Sequence, residues 1–496
     1  MNRRDFLRSF VLTGGLWVLG ESAGPIFAAQ DKGTSEWPNH PFLQGNFAPV
    51  QEETTADNLK VIGTLPPEMD GMFVRNGPNP QFPPLGHYHW FFGDGMLHGV
   101  RVQGGKASYR NRYVRTVRWQ EEHAAGKALY DHFQAPPEKR NRANTALIWH
   151  AGRLLALYEG GPPHRITVPE LDTLGLYTFG GKLVHPFTAH PKVDPTTGEL
   201  LCFGYSVRTP PHLQYSVINA QGGIVSTTPI DLPRPIMMHD FAITPRYTLF
   251  LDLPMVFTMN EGLRRLTFTP ELGARVGILS RHGTGDEIKW FETSPCWVFH
   301  TLNAYEDGDE VVLLACRFRQ YPKELGFQPQ MSAHPTDGKA SAATDAPCLY
   351  QWRCNLKTGQ VIEGPLDDIS TEFPRVNEAL TGKRTRFGYC GRSNGVMFDG
   401  LIKYDLVKGT SEHHVYGEGR MGGEGVFVLR PDSTGEDDGW LVTYVHDAAR
   451  GASELVVVET RDFRAPPVAR VLLPVRVPYG FHGTWITNAE LARQQP

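Results

Sequence analysis

Four histidines recur along the sequence in similar surroundings. His190, His239 and His300 each come before a turn and then an apolar segment, and His482 stands near the end of the chain in VPYGFHGTWI. Imidazole is the commonest metal ligand in proteins, so four imidazoles at one point would hold a divalent ion. The alternative for each residue is an ordinary buried histidine that is hydrogen-bonded to one neighbour, because a chain with 19 histidines offers many chance groupings.

A site made of four imidazoles would have a definite charge. Imidazole ligands are neutral, so the ion keeps its full charge and can leave coordination positions open for small molecules. Zinc, copper, iron and nickel all accept imidazole, and the ligand type alone therefore does not select the metal.

Three glutamates stand in apolar or glycine-rich surroundings, namely Glu159 in LLALYEGG, Glu372 in STEFPRVN and Glu424 in GGEGVF. A buried carboxylate is costly unless it is paired, and the free N–H of a metal-bound imidazole is a suitable partner. We therefore expect these glutamates to orient the ligating histidines. The alternative is that each is a solvated turn residue.

Short apolar segments bounded by turn residues predict a fold that is nearly all β. Examples are ELLCFGYSV, YTLFLDLP, DEVVLLACRF and GWLVTYVHD, and Asp307-Gly308-Asp309 is a typical hairpin turn. The segment Gly326–Pro347, rich in Ala, Ser, Gln and Pro, indicates an insertion loop.

The histidine spacing favours a β-propeller. The first three follow one another at intervals of about fifty to sixty residues and the fourth comes about three such intervals later, whereas a propeller blade occupies about 40 to 50 residues. One histidine per blade, with two blades skipped, would bring all four to the central axis. His482 would then belong to the last inner strand, where Gly480 and Gly483 allow crowded backbones to approach.

Composition and charge exclude several classes of protein. The 496 residues carry a net charge of −4, and no basic run interleaved with aromatic residues occurs, so nucleic acid is not expected as a partner. The six cysteines have neither the density of a disulfide scaffold nor the spacing of a zinc motif, and we interpret them as small buried residues.

The N-terminus has the features of an export signal. Arg3 and Arg4 precede an apolar run from Phe10 to Gly20, and small residues follow at Ala28 and Ala29. This pattern predicts a twin-arginine signal over residues 1–29 and a mature domain over residues 30–496 in the periplasm or outside the cell. A membrane anchor is the alternative, but the apolar run is far shorter than the roughly 20 residues that a span requires.

Ordered motifs over essentially all of the predicted mature chain identify a resemblance. They are MFVRNGPNP, HWFFGDGMLHGV, NRYVRT, LLALYEGG, TAHPKVDPTTGEL, MHDFAIT, HTLNAYEDGDEVV, EFPRVN and EDDGWLVTYVHD. With these motifs the chain resembles the carotenoid cleavage oxygenases, a family that includes apocarotenoid oxygenases, stilbene cleavers and the isomerohydrolase of the retinal pigment epithelium.

The resemblance implies a fold and an activity. It implies a seven-bladed β-propeller with a dome of helices and loops over one face, and Fe(II) on the axis as the only cofactor. His190, His239, His300 and His482 match the family's iron ligands, and Glu159, Glu372 and Glu424 match the carboxylates behind them. The implied reaction is O₂-dependent cleavage of a C=C bond in a carotenoid or apocarotenoid to give carbonyl products. Separately, we expect a monomer with a patch for peripheral membrane contact through which the substrate is loaded.

The chain departs from the family pattern at three positions. Many members have aspartate where Phe92 stands and proline where Gly425 stands, and neither change removes a ligand. Stilbene cleavers carry a lysine immediately before the first of the three glutamates, where this chain has Tyr158. This lowers the expectation of stilbene cleavage, which stays the alternative activity. A periplasmic propeller that binds a lipophilic ligand without catalysis is the alternative of another class.

Other residues are given structural roles. We expect His87, His89 and His98 to pack, His150 to face solvent in a hairpin turn, and the adjacent pair His413-His414 to point to opposite faces of a sheet. The apolar segment Met255–Met259 is a candidate for membrane contact, with core packing as its alternative.

Overall fold

The described part of the chain consists almost entirely of antiparallel β-strands. It comes from a computed structural model that describes residues 36–132, 134–260, 263–322 and 346–495. The predicted export signal and all but the last two residues of the predicted loop Gly326–Pro347 lie outside the described residues. The prediction of a mainly β fold is confirmed.

The strands have the following bounds. Those before the first candidate ligand are β1 Thr55–Ala56, β2 Val61–Gly63, β3 Gly71–Pro78, β4 Gly95–Gln103, β5 Lys106–Tyr113, β6 Ala146–His150, β7 Arg153–Leu157, β8 His164–Ile166 and β9 Thr173–Leu176. Those that follow, up to the middle of the chain, are β10 Lys192–Val193, β11 Leu200–Tyr205, β12 Leu213–Ile218, β13 Ile224–Ile230, β14 Ala242–Ile243, β15 Tyr247–Asp252, β16 Met255–Asn260, β17 Leu263–Phe268, β18 Ala274–Ser280 and β19 Lys289–Thr293. The remaining strands are β20 Trp297–Asp307, β21 Glu310–Phe318, β22 Cys348–Asn355, β23 Val361–Pro365, β24 Thr371–Arg375, β25 Phe387–Asn394, β26 Met397–Asp405, β27 Thr410–Val415, β28 Arg420–Gly422, β29 Val426–Leu429, β30 Gly439–Asp447, β31 Ala452–Glu459, β32 Ala469–Leu472 and β33 Gly483–Thr487.

Four of the sheets in the described ranges contain four strands each, in chain order. The strands β6–β9, β10–β13 and β20–β23 each make one such sheet, and β14, β15, β18 and β19 make another, from which the hairpin β16–β17 projects. A ten-stranded sheet contains β24–β32 together with β2. The last strand, β33, pairs with β3 and so completes the sheet of β1, β5, β4 and β3.

The turns between strands form where the sequence predicts them. Asp307 and Glu310 pair across the hairpin of β20 and β21, and Gly308 in this turn has a φ of 62°, a conformation that glycine adopts without steric cost. β21 is buried along nearly its whole length, because both faces of its sheet are covered.

Neighbouring sheets share buried apolar layers. Leu249 and Val276 of the β14–β19 sheet pack with Leu313 and Trp352 of the β20–β23 sheet. Equivalent layers join the β6–β9 sheet to the β10–β13 sheet and the latter to the β14–β19 sheet. The strands β30 and β31 near the end of the chain share a layer with β3 and β4 near its start, in which Phe73 packs on Tyr444 with ring centroids 4.9 Å apart.

Helices are few in the described ranges. They are α1 (Val117–Ala125) and α2 (Asn488–Leu491), and α1 is capped by the Thr116 hydroxyl and ends at Gly126 with a φ of 66°. Short 3₁₀ turns occur at Pro41–Leu43, Gly45–Phe47, Trp90–Phe92, Pro137–Lys139, Pro270–Leu272, Gly285–Glu287 and Glu378–Leu380. A search of the described residues finds no helix with the length and apolar character needed to cross a membrane.

Candidate metal centre

The structure brings the four predicted histidines together. His190 lies two residues before β10, His239 lies three residues before β14, His300 lies in β20, and His482 directly precedes β33. The ring centroids of His190 lie 4.5 Å from His239, 5.0 Å from His300 and 4.7 Å from His482. The candidate ligand atoms of His190, His300 and His482 all lie within 4.8 Å of one another, and Nε2 of His190 lies 3.0 Å from Nε2 of His239. Four sheets therefore each direct one imidazole to a common point.

Two glycines allow the segment that carries His482 to pack closely against β3. A Cβ on Gly483 would lie 2.7 Å from the ring of Phe73, and one on Gly480 would lie 2.6 Å from the guanidinium of Arg75. Side chains at these two positions would therefore displace β33 and with it His482.

Each of the three predicted glutamates contacts one histidine. The Nδ1 atoms of His239, His300 and His482 lie 2.5 Å from Glu159, 2.6 Å from Glu372 and 2.9 Å from Glu424, respectively. An ionised carboxylate can only accept, so in that state Nδ1 carries the proton and Nε2 keeps its lone pair for the common point. Among the described residues no carboxylate is paired with His190.

The three carboxylates have different second partners. Glu159 accepts from the hydroxyl of Tyr205. Glu372 accepts from the backbone N–H of Phe373 at 2.5 Å. Phe373 has a φ of 53°, which is rare for a bulky residue.

Glu424 lies in a more cationic environment than Glu372. It accepts from the N–H of Gly483 at 2.9 Å, and Nη1 of Arg375 lies 3.6 Å away. Burial opposes the charged form of Glu424, but Arg375, His482 and the Gly483 amide outweigh burial and lower the pKa of Glu424 to about 2. Burial dominates at Glu372 and raises its pKa to about 8.

The environment also keeps two of the histidines neutral. Burial lowers the pKa of His190 and of His300 well below the ordinary value, and the neighbouring imidazoles lower it further. Burial opposes the protonated form of His239 as well, but the adjacent Glu159 outweighs it and raises the pKa of His239. Neutral imidazole is the form that binds metals.

The donor set fits a metal ion. The Nε2 atom of His300 is buried and has no hydrogen-bond partner among the described residues, which is a costly arrangement unless a cation occupies the position it faces. Two imidazole nitrogens bound about 2.1 Å from one ion are about 3 Å apart when they sit at right angles. The 3.0 Å between Nε2 of His190 and Nε2 of His239 matches that spacing.

Aromatic rings cover the histidine cluster. The Phe373 ring lies 5.2 Å from His300 and 4.9 Å from His482, and the Phe299 ring lies 5.5 Å from His239, all between centroids. Phe481, next to His482, packs on Trp90 at 4.7 Å. The cluster therefore has apolar walls, which suit an apolar ligand and exclude water.

Asp240 connects the segments that carry three of the histidines. It is 2% exposed, forms an ion pair of 2.7 Å with Lys192, and accepts from the backbone N–H of Thr301 at 2.7 Å. Lys192 follows His190 by two residues, Asp240 follows His239 and Thr301 follows His300. Our sequence analysis missed Asp240, although a carboxylate next to a predicted ligand in MHDFAIT was a signal that could have identified it.

Comparison with known proteins identifies the family. The sequence profile described as "Retinal pigment epithelial membrane protein" matches residues 47–487. The "Carotenoid 9,10(9',10')-cleavage dioxygenase 1" of Arabidopsis thaliana is 40% identical over 91% of this chain and 91% of its own length. The "Carotenoid cleavage oxygenase" of Mycobacterium tuberculosis is 35% identical over 90% of this chain and 97% of its own. The chain belongs to the carotenoid cleavage oxygenase family.

Solved structures agree with this assignment. The lignostilbene dioxygenase of Pseudomonas brassicacearum superimposes with a TM-score of 0.84, at 30% identity, over 92% of this chain and 100% of its own. Cobalt-substituted apocarotenoid oxygenase of Synechocystis has a TM-score of 0.79, at 29% identity, over 89% of this chain and 97% of its own. The predicted enzymatic nature of the chain is confirmed, since it is an oxygenase of this family, and the non-catalytic alternative is not supported.

The remaining histidines of this oxygenase have mostly the predicted structural roles. His89 accepts from the N–H of Phe91, His98 lies 2.8 Å from the hydroxyl of Tyr109, and His413 is more exposed than the buried His414. The prediction for His150 is wrong. It is 6% exposed, and its Nε2 lies 2.9 Å from the carbonyl of Gly198, because the hairpin of β6 and β7 leans against the turn before β11.

The candidate membrane segment Met255–Met259 forms most of β16. Met255 is 2% exposed and Val256 is 6% exposed, and both contribute to apolar layers between sheets. In this oxygenase the start of the segment therefore packs in the core, which was the alternative interpretation.

Proposed function

We propose that this oxygenase is an Fe(II)-dependent dioxygenase that uses O₂ to cleave one C=C bond of a carotenoid or apocarotenoid and releases two carbonyl products. The observation that carries the proposal is the convergence of four imidazoles, three of which donate Nδ1–H to carboxylates. Bound ferrous iron would supply the activation of O₂, which amino-acid side chains do not provide.

The histidines of the site would bind the iron, and the glutamates would orient the histidines. His190, His239, His300 and His482 would hold the iron through Nε2. Glu159, Glu372 and Glu424 would fix the tautomers and the ring planes of their histidines, as carboxylates behind metal-bound imidazoles commonly do. The neutral ligands leave the charge of the ion uncompensated at the open positions.

The aromatic walls would position the substrate. A polyene offers no acidic or basic group, so its orientation depends on burial of its apolar length next to the reacting bond. Phe299 and Phe373 lie against the histidines from different strands and would restrict the polyene to one path. They would also exclude water from the site.

We propose a closed ring of seven blades for the fold. The sheet of β1, β3, β4, β5 and β33 and the four four-stranded sheets from β6 to β23 would be five blades, and the ten-stranded sheet would supply two, β24–β27 and β29–β32. The apolar layers between successive groups support this order, and so does the layer that joins the last group to the first. The aromatic cluster of Phe42, Trp90 and Phe481, built from loops and 3₁₀ turns, would form part of the dome.

Cleavage of a stilbene is the second candidate activity. The superposition on a lignostilbene dioxygenase with a TM-score of 0.84 favours it. Tyr158 stands where stilbene cleavers have lysine, and the 40% identity to a carotenoid cleavage dioxygenase is higher than the 30% identity to the lignostilbene enzyme. We therefore place the carotenoid or apocarotenoid first.

A substrate panel separates the two activities. Iron-loaded protein is incubated under ¹⁸O₂ with β-apocarotenals and, separately, with hydroxylated stilbenes, and the products are analysed by mass spectrometry. We expect labelled aldehydes from the apocarotenals. Products from the stilbenes alone would reverse the order of the candidates, and an absence of product from every polyene and stilbene would reject both.

Removal of one ligand tests the metal site. We expect His300→Ala to abolish bound iron and turnover while the circular dichroism spectrum stays unchanged. The matched control is His164→Ala, which removes a buried histidine of the β6–β9 sheet outside the cluster and should retain iron. Iron content in His300→Ala equal to that of the wild type would reject the site.

We further propose export through the twin-arginine pathway, with a monomeric mature protein from about residue 30 that touches a membrane peripherally. Replacing Arg3 and Arg4 with lysine should retain the protein in the cytoplasm, as measured by cell fractionation. Sedimentation of the purified mature chain with and without lipid vesicles tests the monomer and the membrane contact.

A further inference from the structure

The carboxylate behind His239 is held by a side chain from a neighbouring sheet. One oxygen of Glu159 accepts from Nδ1 of His239 at 2.5 Å, and the other oxygen accepts from the hydroxyl of Tyr205. The phenol, the carboxylate and the imidazole thus form a continuous hydrogen-bonded series that ends at the proposed iron position.

This series crosses three sheets. Tyr205 is the last residue of β11, in the sheet that begins just after His190. Glu159 follows β7 of the preceding sheet, and His239 precedes β14 of the next one. The hydroxyl of Tyr205 therefore ties together elements whose relative positions decide where the His239 ring points.

The other two carboxylates are held differently. Glu372 takes its second hydrogen bond from the amide of Phe373, the next residue, and Glu424 takes one from the amide of Gly483, next to the histidine that it orients. Backbone amides are fixed by the local fold. Glu159 instead relies on a phenol that can be removed without altering the backbone.

The ring of Tyr205 is itself braced. It packs on Phe257 of β16 with centroids 6.1 Å apart and an angle of 30° between the ring planes. The same strand supports the segment that leads to His239, because the N–H of Met237 donates to the carbonyl of Met255 at 2.8 Å and Ile236 forms a bridge with Val256. Strand β16 thus contacts Tyr205 and the segment that precedes His239.

We propose that Tyr205 is a positioning residue of the iron site, whose hydroxyl fixes the Glu159 carboxylate and through it the ring of His239. The inference rests on the proposed function of the histidine cluster as an iron site. It concerns the retention and geometry of the metal, and Tyr205 itself is not assigned a contact with substrate.

The test removes the hydroxyl alone. Tyr205→Phe is compared with the wild type and with Tyr215→Phe, a matched control in the next strand of the same sheet whose hydroxyl bonds Thr248 at 2.9 Å. Loss of a group behind a metal-bound imidazole commonly lowers metal affinity or activity about 10- to 100-fold. We expect Tyr205→Phe to lose iron to a chelator about tenfold faster than either reference protein.

Two spectroscopic and kinetic readouts separate positioning from a general structural effect. We expect the visible absorption of Co(II)-substituted Tyr205→Phe to shift and that of Tyr215→Phe to match the wild type. We also expect kcat to fall about tenfold with KM changed by less than about twofold, because the apolar walls are intact. Equal chelation rates and equal Co(II) spectra in the three proteins would overturn the inference.

A double-mutant cycle tests the route through the carboxylate. In a Glu159→Gln background, Tyr205→Phe should add little to the loss of metal retention, because both changes act on one series. Additive effects would overturn the route. If the wild type binds Fe(II) and Co(II) but cleaves no polyene or stilbene, the proposed activity fails, while the chelation and Co(II) measurements still decide the role of Tyr205.

Discussion

Glu424 contacts both the ring of His482 and the backbone of the next residue, Gly483. One carboxylate oxygen lies 2.9 Å from Nδ1 of His482, and the other accepts from the backbone N–H of Gly483 at 2.9 Å. The carboxylate therefore fixes both the imidazole ring of His482 and the backbone of Gly483. Removing its charge should loosen a candidate ligand without removing any ligand atom.

We expect Glu424→Gln to lower iron affinity about 10- to 100-fold, because the amide no longer stabilises the Nδ1–H of His482 as a full negative charge does. The measurement is iron content after dialysis against graded chelator. Glu378→Gln is the matched control, because Glu378 also contacts Arg375 but is exposed and lies away from the histidines. Equal iron retention in both variants would contradict the proposed role of Glu424.

The buried His164 should make stability depend on pH. Burial lowers its pKa from 6.5 to about 4, so the unfolded chain binds a proton over this range that the folded chain does not bind. The free energy of unfolding is therefore unaffected by protonation of this histidine above about pH 6.5. Below that pH it decreases as the pH falls towards 4, by up to about 1.4 kcal/mol per pH unit.

The check is urea unfolding of His164→Leu and wild type from pH 7 to pH 4. We expect the variant to lose less unfolding free energy on acidification than the wild type. His282→Leu, at an exposed histidine, should follow the wild type. Identical slopes for His164→Leu and wild type would contradict the prediction.

The apolar layer between the end and the start of the chain should be important for stability. Phe73 is 1% exposed and packs on Tyr444, so Phe73→Ala should lower the free energy of unfolding by about 3–5 kcal/mol. Val407→Ala, at a side chain that is 67% exposed, should change it by less than about 0.5 kcal/mol. Denaturant titration of both variants tests the prediction, and a similar small change in both would show that this layer contributes little.

The cysteines should stay reduced in the folded protein. All six are free, and five are buried. Burial raises the pKa of Cys296 to about 11 and also raises the pKa of Cys202, so few thiolates are available for reaction. We expect a thiol reagent to modify the folded protein slowly and to titrate six thiols after unfolding. Fewer than six thiols in unfolded, unreduced protein would indicate a disulfide.

Sequence spacing could predict the histidine cluster because each ligand lies within a strand or one to three residues before one. That periodic placement brings His190, His239, His300 and His482 together, and the apolar or glycine-rich surroundings of the three glutamates indicated their role, with which the resemblance agreed. Tyr205 could not be found in this way, because its contact with Glu159 depends on how neighbouring sheets are rotated against each other. The left-handed backbone of Phe373 was equally hidden, since bulky residues rarely adopt it.

His150 is a residue whose burial could not be predicted from local sequence. The turn residues after it correctly predicted a hairpin between β6 and β7, but local sequence does not indicate what a hairpin leans on. Its burial results from the turn at Gly198 in the next sheet, which is nearly fifty positions away along the chain.

The pairing of β33 with β3 determines when the site can form during synthesis. His482 immediately precedes this strand, so the fourth imidazole is synthesised only after the strands of all the other sheets. A nascent or prematurely terminated chain lacks both the complete donor set and the strand that joins its two ends. Assembly of the complete proposed metal site therefore requires synthesis through β33.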